Sequence, residues 1–282
     1  MHRPLTVRFW GVRGTFPTPG SSTVRYGGNT ACVSVHLGNE ITLVLDAGTG
    51  IRNLGKTLAS TPSEIYVVVT HNHWDHIQGF PAFQPLYQRR RVHCLLPTLG
   101  ETITRALIEQ MDGTRFPVEF DTLLSDRQVI FDDPRPVLTG LGLHTDLIPL
   151  NHPGGGFGYR VANDGRTIVY LTDNELEPPA DVEATPFSSY VQFCQGADVL
   201  IHDAQYLPAD MPAKHGWGHS VLYQTLQLAV AAGVKHLVLF HHDPDRSDDE
   251  LDAIQAEARS WLQAQAPAIR CTVAFEGLTL HL

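Results

Sequence analysis

Short apolar runs that end on polar residues recur along the chain. Five of these runs are typical of buried β-strands, and they cover residues 41–45, 65–70, 167–171, 199–202 and 237–240. Between them lie helical patterns at residues 99–111, 186–195, 220–232 and 248–265. Gly233 ends the third pattern, and the fourth has acidic residues in its first turn, as a helix N-terminus favours. Because strands and helices alternate, the pattern predicts an α/β fold in which helices cover a sheet.

A weak internal similarity links the strand ends. The segment LVLDAGTG (43–50) resembles VYLTDNE (169–175), and VVVTHNH (67–73) resembles LVLFHHD (237–243). In each segment an apolar strand ends on Asp or His. Two similar αβ halves whose strand ends converge at one sheet edge would form a rigidly held site there. No Ser/Gly linker or low-complexity block divides the chain, so we expect one domain over residues 1–282.

Composition narrows the class of protein. The 282 residues include 43% hydrophobic side chains, which is typical of a globular protein. No run of ~18 uncharged apolar residues and no leader-like start are found, so we expect neither a membrane span nor export. A formal net charge of −10 disfavours a dedicated nucleic-acid binder, because it repels a polyanion. The four cysteines are widely separated without a C-x-x-C pair, which predicts reduced thiols in a cytoplasmic protein.

The segment THNHWDHIQG (70–79) concentrates three of the chain's 15 histidines. His71 and His73 are two positions apart, so on an extended segment their rings project to the same side and can bind one ion. Asp75 and His76 follow at once and would turn toward a second ion. Imidazole nitrogen with carboxylate oxygen suits Zn²⁺ best, with Mn²⁺ or Fe as alternatives. The order H-x-H-x-D-H rarely arises by chance, so it strongly indicates a metal site.

This motif, behind a strand that ends in Thr, resembles the metallo-β-lactamase superfamily. The segments LDAGTG, NHPGGGFGYR, VYLTDNE and LVLFHHDP match that family in the same order. The resemblance implies an α/β fold built as a four-layer αβ/βα sandwich, with two divalent ions. The implied ligands are His71, His73 and His152 for one ion, Asp75, His76 and His241 for the other, and Asp173 as the bridge. In the last segment, strand register favours His241 over His242. Asp46 is implied as the partner that orients a ligand histidine.

Two such ions would make the protein a hydrolase. By this resemblance the two ions carry a formal charge of about +4, and the carboxylates of Asp75 and Asp173 neutralise about two of these charges. The surplus would attract hydroxide and an anionic substrate despite the acidic protein around it. Metal coordination can lower the pKa of water to about 7, which supplies a metal-bound hydroxide as nucleophile. Asp75 is assigned both a ligand and a catalytic role.

Two further segments indicate which bond is cut. LIHDAQY (200–206) and HGWGHS (215–220) resemble paired segments of the ribonuclease Z-like phosphodiesterase branch. By this resemblance His219 donates a proton to the leaving alkoxide, and Asp203 holds its ring. The branch usually has Glu in place of Asp203 and Thr in place of Val221. His215, in the same loop, is the alternative general acid.

The proposed substrate class comes from the start of the chain. Ribonuclease Z carries a long Gly/Pro-rich arm that grips tRNA, and no such insertion is visible here, so tRNA is not the expected substrate. The segments FWGVRGTFPTPG and YGGNTACVSV resemble compact relatives that act on small phosphodiesters, such as cyclic nucleotide phosphodiesterases. We expect Arg13 in a loop at the cleft mouth, where it contacts a phosphate oxygen. Relatives often dimerise, so the resemblance also allows a homodimer.

Other functions remain alternatives. A thioester or lactone hydrolase of the glyoxalase II type shares H-x-H-x-D-H but does not need the pair Asp203 and His219. A non-catalytic, ligand-binding member of the fold usually lacks ligands, whereas all seven are present here. An oxygen-reducing di-iron role is disfavoured because that branch prefers Glu at the place of His73. Replacing His219 separates the first alternative from a phosphodiesterase.

Overall fold

The computed structural model describes residues 5–38, 40–96 and 105–282. The described residues form two compact units, one within residues 1–19, 27–136 and 275–282, and the other within 20–26 and 137–274. Each unit has its own β-sheet. A single functional domain over residues 1–282 stays a prediction.

Strands and helices alternate in both units, as the sequence pattern predicts. The strands are β1 (Leu5–Gly11), β2 (Cys32–Leu37), β3 (Ile41–Leu45), β4 (Glu64–Val68), β5 (Arg91–Leu95), β6 (Asp126–Ile130), β7 (His144–Pro149), β8 (Phe157–Asn163), β9 (Arg166–Leu171), β10 (Val199–Asp203), β11 (His236–Phe240), β12 (Arg270–Val273) and β13 (Thr279–His281). The α-helices are α1 (Ile51–Leu58), α2 (Trp74–Ile77), α3 (Ala106–Glu109), α4 (Arg135–Gly140), α5 (Phe187–Cys194), α6 (Leu222–Ala232) and α7 (Asp248–Gln265). The α/β fold class is thereby confirmed.

The first unit contains a seven-stranded sheet with the order β13-β1-β2-β3-β4-β5-β6. Strands β3 to β6 run parallel, whereas β13, β1, β2 and β3 pair antiparallel. Strand β3 and residues 65–68 of β4 are buried, which is why they read as continuous apolar runs rather than as alternating ones. The buried face of α1, with Ile51, Leu54 and Leu58, joins the core of this unit.

The second unit contains a six-stranded sheet with the order β12-β11-β10-β9-β8-β7. Strands β9 to β12 run parallel, and β7, β8 and β9 pair antiparallel. Gly233 caps the C-terminus of helix α6, and its left-handed conformation suits a residue without a side chain. Helix α7 begins with a capping box, in which Ser247 and Glu250 each accept a hydrogen bond from the other's backbone.

The predicted elements agree with these bounds within a few residues, with one exception. This exception is the predicted helix 99–111, of which residues 99–104 lie outside the described residues. In the described part, residues 105–111, the helix is limited to α3. Strand β4 ends at Val68, two residues before the predicted end. Across the described ranges, the helices are all too short or too polar to cross a membrane.

Candidate metal-binding groups and general acid

The H-x-H-x-D-H motif of the first unit lies at the carboxyl end of β4. Strands β3 and β4 are parallel neighbours, so the residues that follow them lie at the same sheet edge. The ring centroid of His71 lies 4.6 Å from that of His73 and 4.3 Å from that of His76. His76 Nε2 lies 3.3 Å from Asp75 Oδ2. The structure thus brings together the four motif residues that the sequence assigns to metal.

Asp46, the first residue after β3, organises this group. Its Oδ1 accepts a hydrogen bond from the Thr70 amide at 2.7 Å, and its Oδ2 lies 2.9 Å from Nδ1 of His76. The Thr70 hydroxyl also donates to Asp46, at 3.0 Å, so its oxygen is left to accept from Nδ1 of His71 at 3.0 Å. His71 and His76 are therefore protonated on Nδ1, and each presents Nε2 for coordination.

A loop between β1 and β2 holds the aspartate of the motif. The backbone amide of Thr15 donates a hydrogen bond to Oδ2 of Asp75 at 2.8 Å. Thr15 adopts a φ of 62°, an unusual conformation for a β-branched residue. The unusual backbone directs this amide toward the carboxylate.

The second unit places another set of predicted residues at one sheet edge. Strands β9, β10 and β11 are parallel neighbours, and Asp173, Asp203 and His241 lie at or just beyond their carboxyl ends. Ligand atoms of Asp173, Asp203, His219 and His241 all lie within 4.8 Å of one another. Strands β9 and β11, whose ends the sequence analysis relates to those of β3 and β4, flank β10 and end at the same edge of this sheet.

Asp173 lies between two of the predicted ligand histidines. Its Oδ1 is 3.0 Å from Nε2 of His241, and its Oδ2 is 3.7 Å from Nε2 of His152. One carboxylate oxygen thus faces each histidine, which is the arrangement that a bridging ligand requires. His242 instead places its Nε2 within 2.8 Å of the Ala274 carbonyl. The register argument for His241 over His242 agrees with these contacts.

The hydrogen bonds of His152 and His241 indicate whether a cation fits between these rings and Asp173. His152 donates from Nδ1 to the Gly218 carbonyl at 2.9 Å, and His241 donates from Nδ1 to Oε1 of Gln205 at 2.8 Å. In the neutral ring Nε2 then carries a lone pair that faces the Asp173 carboxylate. Two electron-rich atoms at 3.0 Å repel each other unless a cation or a proton lies between them. The donor set is that of a divalent-metal site with neutral imidazole and carboxylate ligands.

Backbone strain is concentrated at the same positions. Among the described non-glycine residues, positive φ values occur at Thr15, Asp46, Asp164, Asp173 and His241. The values at Asp46, Asp173 and His241 are 63°, 52° and 58°. Such conformations cost about 1–3 kcal/mol each and cluster at functional sites. Each of these three residues follows a buried strand, so the strain reflects an abrupt turn that places a polar side chain at the edge.

His219 and Asp203 form a buried pair. His219 Nδ1 lies 2.6 Å from Asp203 Oδ2. The other oxygen of Asp203 accepts from the Gln205 amide at 2.8 Å. The His219 ring stacks on that of His241, with the centroids 5.1 Å apart. His215, the alternative general acid, is about half exposed and its Nε2 lies 3.0 Å from the Glu177 carbonyl. Nε2 of His215 also lies 3.8 Å from Oε1 of Glu175, which is beyond hydrogen-bond distance. Of the two histidines, His219 is the one whose ring lies within hydrogen-bond distance of a carboxylate.

Arg13 does not occupy the position that the sequence led us to expect. Its side chain is completely buried, and its Nε donates to the Gly27 carbonyl at 2.9 Å. The chain beyond β1 stays paired, with a bridge between Arg13 and Thr30, so the side chain turns into the interior. The expectation of an arginine at a cleft mouth is therefore wrong, and Arg13 is not part of the function proposed below.

Three residues that hold the predicted site escaped the sequence analysis. Thr70 and Gln205 orient His71 and His241, and Glu175 accepts two amide hydrogen bonds from the loop that carries His219. Thr70 and Glu175 lie inside the quoted motifs, and Gln205 lies two residues after Asp203. Proximity to a motif was the signal available, but their contacts depend on tertiary structure.

Comparison with known proteins identifies the family. A family model described as the β-lactamase superfamily domain matches residues 42–242, so the chain belongs to that superfamily. Ribonuclease Z of Geobacillus kaustophilus is 24% identical over 271 residues, covering 82% of this chain and 88% of its own. The metallo-β-lactamase fold protein YhfI of Bacillus subtilis superimposes with a TM-score of 0.69 at 18% identity, covering 99% of this chain and 100% of its own. A diphosphatase of the PhnP family gives 0.65 at 19% identity, covering 99% and 98%.

These matches establish the metallo-β-lactamase fold that the sequence motifs predict. The protein is a member of a superfamily of metal-dependent hydrolases. The fold implies a dinuclear divalent-metal site with His and Asp ligands.

Proposed function

We propose that the protein is a dinuclear metal-dependent phosphodiesterase that acts on small phosphodiesters, including those of the cyclic nucleotide type. The proposed ligands are His71, His73 and His152 for one ion, Asp75, His76 and His241 for the other, and Asp173 for both. Zn²⁺ is the proposed metal, since neutral imidazole and carboxylate suit it best.

The hydrogen bonding of the histidines supports the metal assignment. In each unit, an acceptor holds Nδ1 of two predicted ligand histidines, which leaves Nε2 for coordination. When bound, two divalent ions lower the pKa of a coordinated water and stabilise the charge that develops on the phosphoryl oxygens. Asp46, Thr70 and Gln205 keep three of the rings in the required orientation, so the residues of this chain fix the geometry before a substrate arrives.

The pair of His219 and Asp203 is the observation that favours a phosphodiester over a thioester as the substrate. An alkoxide that leaves a phosphodiester is strongly basic, so its departure is accelerated by a general acid. His219 is held by Asp203 at 2.6 Å through Nδ1, which leaves Nε2 to deliver a proton. The carboxylate fixes the tautomer and stabilises a positive charge on the ring. A thioester hydrolase has a much less basic leaving group and gains little from such a pair.

The relatives are compatible with cleavage at phosphorus. One is named as a ribonuclease and another as a diphosphatase, so both act on bonds between phosphorus and oxygen. The formal net charge of −10 favours small substrates over tRNA, because a large polyanion is repelled by the protein as a whole.

A substrate panel tests this proposal. The metal-loaded protein is offered a chromogenic phosphodiester, a phosphomonoester, a β-lactam and a thioester at equal concentrations. We expect the highest kcat/KM for the diester. If the diester is the poorest substrate of the panel, the proposed function is wrong.

A further inference from the structure

Glu175 is a buried carboxylate, and both of its oxygens contact the segment that carries His219. Only 3% of Glu175 is exposed. Its Oε1 accepts a hydrogen bond from the Gly216 amide at 2.8 Å, and Oε2 accepts one from the Gly218 amide at 2.9 Å. A carboxylate is costly to bury unless such donors replace water. The two amides compensate the buried charge, and the charge in turn fixes the positions of the amides.

The turn at residues 216–218 depends on polar contacts. Gly216 and Gly218 both have a φ of 85°, in the left-handed region that favours glycine. A Cβ atom on Gly218 would lie 2.2 Å from Nδ1 of His152, so no side chain fits there. Trp217, between the two glycines, is 59% exposed. The one large side chain of the turn is therefore mostly in solvent, and the two amide hydrogen bonds to Glu175 are polar contacts that hold the turn.

This turn connects two residues of the proposed site. The Gly218 carbonyl accepts the hydrogen bond from Nδ1 of His152 at 2.9 Å. The next residue, His219, contacts Asp203 at 2.6 Å. A shift of the turn would therefore move the general acid relative to its carboxylate.

The neighbours of Glu175 contact the same segment. Ser220 Oγ donates to the Asn174 carbonyl at 2.6 Å and accepts from the Leu176 amide at 3.2 Å. Residues 174–176 thus bind residues 216–220 along their length. Glu175 supplies the negative charge in this contact, and its own amide donates to the Asn151 carbonyl at 2.9 Å, next to His152.

We propose that Glu175 is a positioning residue for the general acid, acting through the turn at residues 216–218. The proposal rests on the phosphodiesterase function proposed above. Glu175 need not touch the substrate in this role. Its carboxylate sets where the turn lies, and the turn sets where His219 delivers its proton. Loss of the carboxylate should therefore affect most strongly those substrates whose leaving group needs the proton.

The variant Glu175→Gln keeps the size of the side chain but places an NH₂ donor opposite an amide donor. The test uses methyl aryl phosphodiesters with leaving groups from p-nitrophenol to unsubstituted phenol. The weakly basic p-nitrophenolate leaves with little help from a general acid, whereas the more basic phenolate depends more on the proton. We expect kcat/KM to fall by at least ~10-fold for the phenol ester and by less than ~3-fold for the p-nitrophenol ester. The matched control Glu177→Gln makes the same change at an exposed position two residues away and should match the wild type throughout.

Amide hydrogen exchange provides a measurement that does not depend on activity. In Glu175→Gln the amides of Gly216 and Gly218 should exchange at least ~10-fold faster, whereas Glu177→Gln should leave them protected. Bound metal is measured in every variant, and kcat/KM values are compared at full metal loading, because the same turn also accepts the hydrogen bond from Nδ1 of His152. If Glu175→Gln does not fold, Glu175→Asp retains the charge and one amide contact, and a smaller loss with the same leaving-group pattern is expected.

Several results would overturn the proposal. Equal loss for all leaving groups would show a general structural role, and unchanged exchange at both glycines would show that Glu175 does not hold the turn. Failure of the proposed function is recognisable separately, because the metal-loaded wild type would then hydrolyse none of these diesters. In that case the general-acid role falls with the function, while the exchange data still decide whether Glu175 fixes the turn.

Discussion

Nδ1 of His76 lies 2.9 Å from Oδ2 of Asp46, and this contact joins the end of β3 to the helix that follows β4. The same carboxylate accepts two hydrogen bonds from Thr70, which in turn contacts His71. A single buried aspartate thus orients two predicted ligand histidines. Asp46 thus links the sheet edge of the first unit to the orientation of these predicted metal ligands.

The variant Asp46→Asn should weaken metal binding without removing a ligand. The amide has the size of the carboxylate, but its NH₂ group cannot accept a hydrogen bond. Asn therefore cannot use one oxygen for Thr70 and another for His76, as Asp46 does. We expect the affinity for the metal to fall roughly 10- to 100-fold, measured by competition with a chromogenic chelator. Asp164→Asn is the matched control, since Asp164 is exposed and also has a positive φ. Equal affinities for both variants would contradict the orienting role of Asp46.

The variant His219→Ala should remove general-acid catalysis, whereas His215→Ala should not. We expect a loss of at least ~10²-fold in kcat/KM for a diester with an alkyl leaving group after the first change. His215 contacts a backbone carbonyl and is about half exposed, so its replacement should cost less than ~3-fold. A larger loss for His215→Ala would reverse the assignment.

The variant Asp203→Asn tests whether the pair acts as a unit. Asp203 holds one tautomer of His219, so its loss should lower kcat/KM even though no group is removed from the substrate. In a double-mutant cycle, Asp203→Asn should have little further effect once His219 is Ala, because coupled residues are not additive. Additive losses would show that Asp203 acts independently of His219.

Asp248 should stabilise the second unit through the segment that contains Arg25 and Tyr26. Its carboxylate is buried and accepts the amides of both residues, at 2.7 Å and 3.2 Å. Asp248→Ala leaves these donors without their acceptor, so we expect a loss of about 1–3 kcal/mol, seen as a lower Tm. Asp249→Ala is the control, because the side chain of Asp249 is 91% exposed and its ion pair with Arg25 is worth little. Equal shifts in Tm would refute this assignment.

The four cysteines should be unreactive in the folded protein at pH 8. All are buried thiols, and burial raises the pKa of Cys94 and of Cys271 to about 12. Burial also raises the pKa values of Cys32 and Cys194. A thiol is protonated below its pKa, so at pH 8 almost no thiolate is present to attack a disulfide reagent. Ellman's reagent should detect no rapid reaction until denaturant is added, and then all four. Rapid reaction of any cysteine in the native protein would contradict this expectation.

The sequence predicts five of the thirteen described strands and most of the candidate site, because these features depend on local patterns. Ile41–Leu45 and Asp248–Gln265 match their predicted bounds, and the buried strands explain the continuous apolar runs. The motif residues of each unit lie together because neighbouring parallel strands end at one edge. The sequence also indicates Asp46 as an orienting residue, although the contact with His76 becomes visible only in the structure.

The remaining features depend on tertiary contacts that no local pattern reports. Arg13 belongs to a segment that resembles the family, yet a bridge to Thr30 turns its side chain inward. Gln205 and Glu175 bind segments 36 and 41 or 43 residues away along the chain. Their roles depend on which loops meet above the sheet edge, and residue spacing alone does not encode that.

Metal analysis tests the central claim most directly. Dialysed protein loaded with Zn²⁺ is measured by mass spectrometry for bound ions per chain, for the wild type, Asp173→Asn and the control Asp164→Asn. We predict about two ions in the wild type and in the control, as a two-metal site requires, and a clear loss in Asp173→Asn, because the proposed assignment makes that carboxylate a ligand of both ions. A wild type without bound transition ions, or an Asp173→Asn variant that still binds both as tightly, would contradict the account.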